Sequence, residues 1–237
     1  MEHSQKRMKR SEINAAIKEA IALLDKHHFK LPRFAYWTME EWEQHKNDID
    51  TIREVMLGWD VSDFGSGDFD TMGAVLFTIR NGKLGREDIG SPYAEKILIF
   101  KEGQQLPVHY HAMKTEDIIN RGEGTMEMYF YKKREDGTVD LESDIEYYSD
   151  GILCVAKAGE PVYITTGNSV RLDPFVYHTF GAKIGDGSLI CGEVSKVNDD
   201  MTDNYFAEST ARFTDIEEDE PILYPLCNEY ETLFPRG

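Results

Sequence analysis

The chain is poor in cysteine and has no long apolar run. Its three cysteines, Cys154, Cys191 and Cys227, are far apart and odd in number. They form neither a CxxC motif nor a disulfide framework, which fits a reducing compartment. No apolar stretch approaches the roughly 18 residues that span a bilayer, and the basic N-terminus lacks the apolar stretch of a secretory signal. We therefore expect a cytoplasmic protein.

Positive charge is also scarce. Lysine and arginine number 26 against 44 aspartates and glutamates, and the formal net charge is -18 at pH 7. Such a field repels nucleic-acid phosphates and anionic lipid surfaces. We therefore expect this protein to bind neither nucleic acid nor membranes. Neutral small molecules and cations remain as candidate ligands.

The N-terminal part of the chain has helical patterning. Apolar residues recur every three to four positions from Ile13 to Leu24, which predicts a helix that a Ser11 cap begins and that ends near His27. Thr38 and Glu41 have the spacing of a capping box and predict a short second helix.

The middle of the chain has β patterning. Between Ala74 and Val197, short segments rich in β-branched and aromatic residues are separated by Gly, Asn, Asp or Pro, which predicts antiparallel β-structure of the jelly-roll type. The end of the chain is acidic and irregular. We predict a mainly β single domain in three parts: a helical N-terminal arm (1–57), a β-barrel core (58–197) and an acidic C-terminal segment that wraps the barrel (198–237).

The strongest chemical signal is a histidine pair with a glutamate close behind. The stretch from Gly103 to Gly122 reads GQQLPVHYHAMKTEDIINRG. Residues i and i+2 of a strand share a face, so His109 and His111 present two imidazoles side by side. Glu116 follows across a predicted bend, and His178 opens a later predicted strand. This donor set suits Mn²⁺, Fe²⁺, Co²⁺, Ni²⁺ or Zn²⁺. A solvent-facing strand with two incidental histidines is the competing interpretation.

The same residues resemble a known fold family. The spacing from Gly103 to Gly122 resembles the first signature of the cupin superfamily, and DPFVYH, which ends at His178, resembles the second. The resemblance implies a jelly-roll barrel with a metal held by four ligands. These are His109, His111, Glu116 and His178.

A narrower resemblance covers most of the chain. The segments GWDVSDFGSGDF, VLFTIRNG, HYHAMKTEDIINRG and ARFTDIEEDEP, within Gly58 to Pro221, are similar to the D-lyxose isomerase family of cupins. That resemblance implies a Mn²⁺-dependent aldose–ketose isomerase that interconverts D-lyxose and D-xylulose, with D-mannose and D-fructose as a second pair. It also implies a homodimer. The absence of a glycine-rich phosphate loop favours a free sugar as substrate.

Isomerisation moves a hydrogen between C1 and C2, so an acid–base group is expected beside the metal. Lys114 is expected to stabilise charge on the sugar oxygens. The candidate bases are Glu208, Glu217 and Glu218, and the resemblance favours Glu218 or Glu217, folded over the barrel mouth. The competing interpretation of this acidic run is a solvated face, and a metal-mediated hydride shift would need no base. Residues expected to contact the sugar are Arg212, Glu208, Trp59, Tyr129 and Phe180, of which the aromatic ones are equally candidates for the core.

Two rival functions use the same barrel. A metal-dependent cupin oxygenase would hold Fe²⁺ on the same ligands, and a non-enzymatic cupin would bind a sugar without turnover. The surroundings of the metal discriminate between them, because an isomerase needs acid–base and polar sugar contacts whereas an oxygenase favours a more apolar pocket.

Overall fold

The computed structural model describes residues 7–197, 199 and 201–236. Residues 1–6 of the expected arm and residues 198, 200 and 237 of the expected C-terminal segment lie outside the described residues. The helices are α1 (Arg10–Lys26), a 3₁₀ helix (Arg33–Tyr36), α2 (Met39–Gln44), α3 (Asp50–Glu54) and α4 (Tyr230–Leu233). No helix in these described ranges is long and apolar enough to cross a membrane.

Strands make up most of the regular structure. They are β1 (Met8–Lys9), β2 (Gly58–Ser62), β3 (Ala74–Lys83), β4 (Arg86–Phe100), β5 (His109–Tyr110), β6 (Glu116–Glu123), β7 (Met126–Lys133), β8 (Val139–Asp140), β9 (Ile145–Ser149), β10 (Ile152–Ala156), β11 (Val162–Ile164), β12 (Ser169–Leu172), β13 (Val176–Ala182), β14 (Leu189–Lys196), β15 (Tyr205–Phe206) and β16 (Ile216–Glu217).

Two curved sheets build the barrel. The larger sheet has eight strands in the order β10-β9-β12-β6-β14-β4-β3-β2, and the smaller has the order β11-β7-β13-β5-β15 with β8 beside β7. Apart from the two-residue parallel pair β1–β16, the pairings are antiparallel. The predicted mainly β cupin fold, a jelly roll, is confirmed.

Side-chain alternation along the strands creates two apolar cores. On β3, Leu76 belongs to the core inside the barrel, whereas its neighbour Phe77 belongs to a second core outside the sheet. Because successive residues of a strand point to opposite faces, one sheet serves both cores. The inner core also contains Phe100, Phe130 and Phe180, which fill the barrel beside the candidate site.

Helix α1 covers the outer face of the larger sheet. Its buried stripe, Ile13, Ile17 and Leu24, lies in the outer core with Phe77, as the sequence predicts. The Ser11 cap is wrong: Ser11 lies inside the helix, where its N–H and hydroxyl donate to an aspartate of the C-terminal segment.

The capping box of α2 is confirmed. The Thr38 hydroxyl oxygen accepts the Glu41 N–H at 3.2 Å, and the Glu41 carboxylate accepts the Thr38 N–H at 2.8 Å. Two orphan donors of the helix terminus are therefore satisfied within the same turn.

The acidic C-terminal run lies against the start of α1. The fully buried Arg10 guanidinium binds the carboxylates of Glu218 and Glu229, and Ser11 binds Asp219. A buried arginine needs paired anions because its charge cannot be left without a partner away from water. The run therefore ties the end of the chain to its first helix.

Candidate metal and active site

Three imidazoles converge inside the barrel. His109 on β5 lies directly opposite His178 on β13, and His111 follows one residue after β5. One ring nitrogen from each histidine lies within 4.8 Å of the others. All three side chains are buried, which argues against the solvent-facing strand.

Glu116 joins the three histidines from the opposite sheet. The sequence places it across a bend, and the structure has that bend at residues 112–113. Glu116 is the first residue of β6, a strand that the sequence patterning missed. Its Oε1 lies 3.5 Å from His111 Nε2 and 3.4 Å from His178 Nε2. The four side chains expected to bind metal are thus brought together. His109 and His178 lie on strands of the smaller sheet, His111 lies directly after β5, and Glu116 lies on the larger sheet.

Hydrogen bonds orient each imidazole. The Nδ1 atoms contact backbone carbonyl oxygens: His109 that of Pro107 at 2.9 Å, His111 that of Asp203 at 2.5 Å, and His178 that of Val176 at 3.0 Å. A carbonyl can only accept, so each Nδ1 carries the proton and each Nε2 keeps its lone pair for a ligand. This is the arrangement that metal-binding histidines commonly show.

One atom of the cluster is left without a hydrogen bond. Among the described residues, His178 Nε2 is a buried side-chain nitrogen with no hydrogen-bond partner. A buried acceptor without a donor costs free energy unless a ligand binds it. The donor set and this orphaned lone pair both fit a divalent metal.

The electrostatics keep three of the candidate ligands, His109, His111 and Glu116, deprotonated. Burial, with the neighbouring His178 and His111, holds the pKa of His109 well below its ordinary value, and burial together with Lys114 lowers the pKa of His111 to about 4. Burial alone would raise the pKa of Glu116, but the Lys114 ammonium and the adjacent His111 hold it well below the usual range. Metal binding therefore needs no proton release from these side chains at neutral pH.

A buried ion-pair network adjoins the cluster. Lys114 Nζ lies 2.7 Å from Glu116 Oε2 and 2.9 Å from Glu193 Oε1. Glu193 Oε1 also accepts the Ser195 hydroxyl at 3.2 Å and lies 3.8 Å from Lys96 Nζ. Glu193 is thus a second carboxylate, close to the candidate metal ligands and not one of them.

Candidate metal ligands and members of the ion-pair network open onto one cavity. The lining residues are Phe64, Leu76, Lys96, Leu98, Leu106, Pro107, His109, His111, Lys114, Glu116, Ile118, Phe180, Glu193, Asn204, Phe206 and Arg212. Arg212 is held by Asp60, whose Oδ2 accepts from its Nη1 at 2.6 Å.

Some residues expected to contact the sugar lie at the cavity and others do not. Phe180 and Arg212 line it. Glu208 lines a neighbouring groove that borders the cavity at Phe64 and Pro107.

Two of the expected aromatic contacts lie elsewhere. Trp59 is buried in the outer core, where its Nε1 donates to the Ala35 carbonyl at 2.9 Å. Tyr129 lies between the inward-facing Met128 and Phe130 on β7, so it points away from the barrel interior. Strand parity therefore separates both rings from the cavity.

The expected bases Glu217 and Glu218 are not brought to the cavity. Glu217 pairs with Lys9 in the β1–β16 ladder, and Glu218 binds Arg10. The sequence predicts that this acidic run folds over the barrel mouth. In the structure the run lies at the start of α1 instead, because the buried Arg10 guanidinium binds the Glu218 carboxylate there.

Sequence reasoning missed Glu193 and Asp203. A signal for Glu193 exists, since Cys191, Glu193 and Ser195 have the same strand parity and a buried core cysteine precedes the glutamate. That parity predicts a charge facing the barrel interior. Asp203 gives no local signal, because its contacts are with residues 111–114, far away along the chain.

The chain matches a known family over most of its length. The family model of D-lyxose isomerase matches residues 8–230. The D-lyxose/D-mannose isomerase of Escherichia coli O157:H7 is 38% identical over 228 residues, covering 94% of this chain and 98% of that protein. Its counterpart from Serratia proteamaculans is 37% identical over 225 residues, with the same coverage.

A solved structure shares the fold. The L-ribose isomerase of Acinetobacter sp. DL28, in complex with L-ribose, superposes with a TM-score of 0.61 at 16% identity, over 90% of this chain and 100% of that one. At this identity the likeness shows the fold alone. On the family match and the identity to its relatives, the chain belongs to the D-lyxose isomerase family and is a sugar isomerase.

Proposed function

We propose that this protein interconverts D-lyxose and D-xylulose, and D-mannose and D-fructose, with a bound divalent metal. The observation that carries the proposal is the buried cluster of four candidate metal ligands, the three histidines and Glu116, beside a separate Lys114–Glu193 pair. The names of the relatives, D-lyxose/D-mannose isomerases, support the choice of sugars.

His109, His111, Glu116 and His178 hold the metal in this proposal. We propose Mn²⁺, with Co²⁺, Fe²⁺, Ni²⁺ and Zn²⁺ as alternatives, because three imidazoles and one carboxylate with no thiolate accept any of these ions. When bound, the metal supplies a Lewis acid at the O1/O2 edge of the open-chain sugar.

Glu193 is the proposed acid–base group. Its carboxylate is buried, lines the cavity and is not needed as a metal ligand, so it can take the proton from C2 and return it to C1. The Lys114 ammonium, which lies between Glu193 and Glu116, stabilises the negative charge that develops on the sugar oxygens as the proton leaves. This assignment replaces Glu218, which binds Arg10, and Glu217, which lies in the β1–β16 ladder; neither lines the cavity.

The charge balance of the cavity favours a neutral sugar. Each cationic side chain that lines it lies beside a carboxylate. The pairs are Lys114 with Glu116, Lys96 with Glu193 and Arg212 with Asp60. Such a site has no excess positive charge for a phosphate, whereas its fixed donors and acceptors suit hydroxyl groups. Arg212 and the Phe180 ring are the proposed sugar contacts.

The oxygenase alternative is less favoured by the same cavity. Its ligand set is shared with an isomerase, but the buried Lys114–Glu193 pair gives acid–base chemistry that oxygen activation does not need. We further propose a cytoplasmic homodimer, from the family resemblance. Light scattering after size exclusion measures the mass directly.

The decisive experiment uses protein stripped with a chelator. D-Xylulose formation from D-lyxose is measured before stripping, after stripping and after resupply of Mn²⁺, with bound metal quantified in each sample. Activity that disappears and returns with one metal per chain supports the proposal. Stoichiometric metal binding with no turnover of any pentose or hexose contradicts the proposed isomerisation and favours the oxygenase.

A further inference from the structure

Asp203 is bonded to the loop that joins two candidate metal ligands. Its carboxylate accepts three successive backbone N–H groups, those of Ala112 at 2.7 Å, Met113 at 3.1 Å and Lys114 at 3.2 Å. Its own carbonyl oxygen accepts from His111 Nδ1 at 2.5 Å. One residue of the C-terminal segment thus binds both a candidate ligand and the backbone that follows it.

We propose that Asp203 is a positioning residue that sets the metal affinity and the turnover of the site. The proposal rests on the proposed function for its turnover part only. Asp203 touches neither metal nor sugar in this role. It acts through His111, whose ring it orients, and through the backbone of Lys114, whose ammonium lies between Glu116 and Glu193.

The location of this contact explains why an anchor is needed. His111 directly follows β5 of the smaller sheet, and Glu116 begins β6 of the larger sheet. Residues 112–115 therefore cross from one sheet to the other without belonging to a strand of either. The amides of 112–114 would need other partners if the carboxylate were absent. Because Asp203 is only 3% exposed, water has little access to replace it.

The surrounding segment supports a role at the site. Asn204 and Phe206, directly after Asp203, line the cavity, and β15 pairs Phe206 with His109. The segment is therefore part of the cavity wall, and its placement depends on the same hydrogen bonds that orient His111.

A matched control exists in the same chain. The Asp140 carboxylate also accepts backbone N–H groups, those of Glu142 at 2.9 Å and Ser143 at 3.2 Å, in a turn that does not line the cavity. Replacing this carboxylate with an amide weakens the same kind of hydrogen bonds without changing the site. Asp140→Asn therefore separates loss of a turn contact from loss of ligand positioning.

The first measurement is Mn²⁺ binding to stripped protein by titration calorimetry, with no sugar present. Asp203→Ala keeps the backbone carbonyl that accepts from His111 Nδ1, but it loses the carboxylate that holds residues 112–114 and thereby places that carbonyl. The dissociation constant is therefore expected to rise about 10-fold, the lower end of the effect of changing an outer-sphere partner of a metal ligand. Asp203→Asn, which keeps one side-chain acceptor oxygen, is expected to fall between Asp203→Ala and the wild type and secures the test if the alanine variant does not fold. Asp140→Asn is expected to bind Mn²⁺ as the wild type does.

The second measurement is turnover at saturating Mn²⁺. We expect kcat to fall in both Asp203 variants, because Lys114 is displaced, while Asp140→Asn keeps it. Wild-type Mn²⁺ affinity and kcat in folded Asp203 variants, with only a lower melting temperature, would overturn the proposal. A third outcome separates the two proposals. If the wild type turns over no sugar but the Asp203 variants still bind Mn²⁺ more weakly than it does, the effect of Asp203 on metal affinity stands and the proposed function is contradicted. A wild type that binds no divalent metal would overturn both.

Discussion

Lys114 and Glu193 form a buried ion pair across the barrel, with Nζ and Oε1 2.9 Å apart. The pair joins the β5–β6 loop to β14 of the larger sheet, and Lys114 also contacts the candidate ligand Glu116. The proposed acid–base group Glu193 and the candidate metal ligand Glu116 are therefore connected through one lysine. Burial strengthens such contacts, because the effective dielectric constant inside the barrel is lower than that of water.

Glu193→Gln tests the acid–base assignment. The amide keeps the volume of the side chain but cannot take a proton, so kcat for D-lyxose is expected to fall by about 10²–10⁴-fold while bound Mn²⁺ stays near the wild-type amount. Steady-state kinetics with metal analysis measure both quantities.

Glu218→Gln is the matched control for that variant. Its carboxylate binds Arg10 outside the cavity, so turnover is expected to be retained. Loss of kcat in Glu218→Gln with full activity in Glu193→Gln would restore the expectation drawn from the sequence.

His111→Ala tests the metal site. Removing one imidazole from the four-residue set is expected to abolish metal binding and isomerisation together, since the remaining donors leave the site incomplete. Elemental analysis after dialysis gives the metal content. His45→Ala removes an exposed histidine that stacks on Trp37, and it should keep both properties. An active His111→Ala protein without metal would contradict the metal-dependent mechanism.

The stability of the stripped protein is expected to fall on acidification. Burial lowers the pKa of His111 from 6.5 to about 4, so between these values the unfolded chain binds a proton there and the folded chain does not. Stability therefore rises with pH across this window and falls as the pH drops from 6.5 to 4. His109 acts in the same direction.

Urea denaturation of the stripped protein from pH 4 to pH 7 measures this dependence. His111→Asn is expected to show a weaker dependence than the parent, because one of the buried histidines is gone. A midpoint that stays constant or rises toward pH 4 in the parent protein would contradict the expected loss of stability in acid.

Arg10→Met tests the junction between the first helix and the C-terminal segment. The guanidinium is fully buried with Glu218 and Glu229, and its loss is expected to cost about 3 kcal/mol of unfolding free energy, the lower end for a broken buried pair, because Glu218 is half exposed. Lys30→Met removes an exposed lysine that pairs with Asp25, and it should change the denaturation midpoint little. Equal midpoints for the two variants would refute a stabilising role of Arg10.

Local pattern in the sequence determined much of this protein. The period of α1, the Thr38–Glu41 capping box and the β-rich middle depend on neighbours along the chain, and the structure has them. The set His109, His111, Glu116 and His178 was also predictable, since its spacing follows from strand parity and a family signature. Lys114 was predicted as a site residue because it lies between His111 and Glu116 in the sequence.

Tertiary structure alone decided the rest. Glu193 reaches the cavity because β14 pairs with β4 and β6, and Asp203 reaches residues 111–114 from far along the chain. By sequence Glu218 is a reasonable base, but in the folded chain the buried charge of Arg10 binds it. Periodicity encodes which face a side chain takes, whereas the partner that it meets there depends on strand pairing and on the burial of charge, which only the folded chain determines.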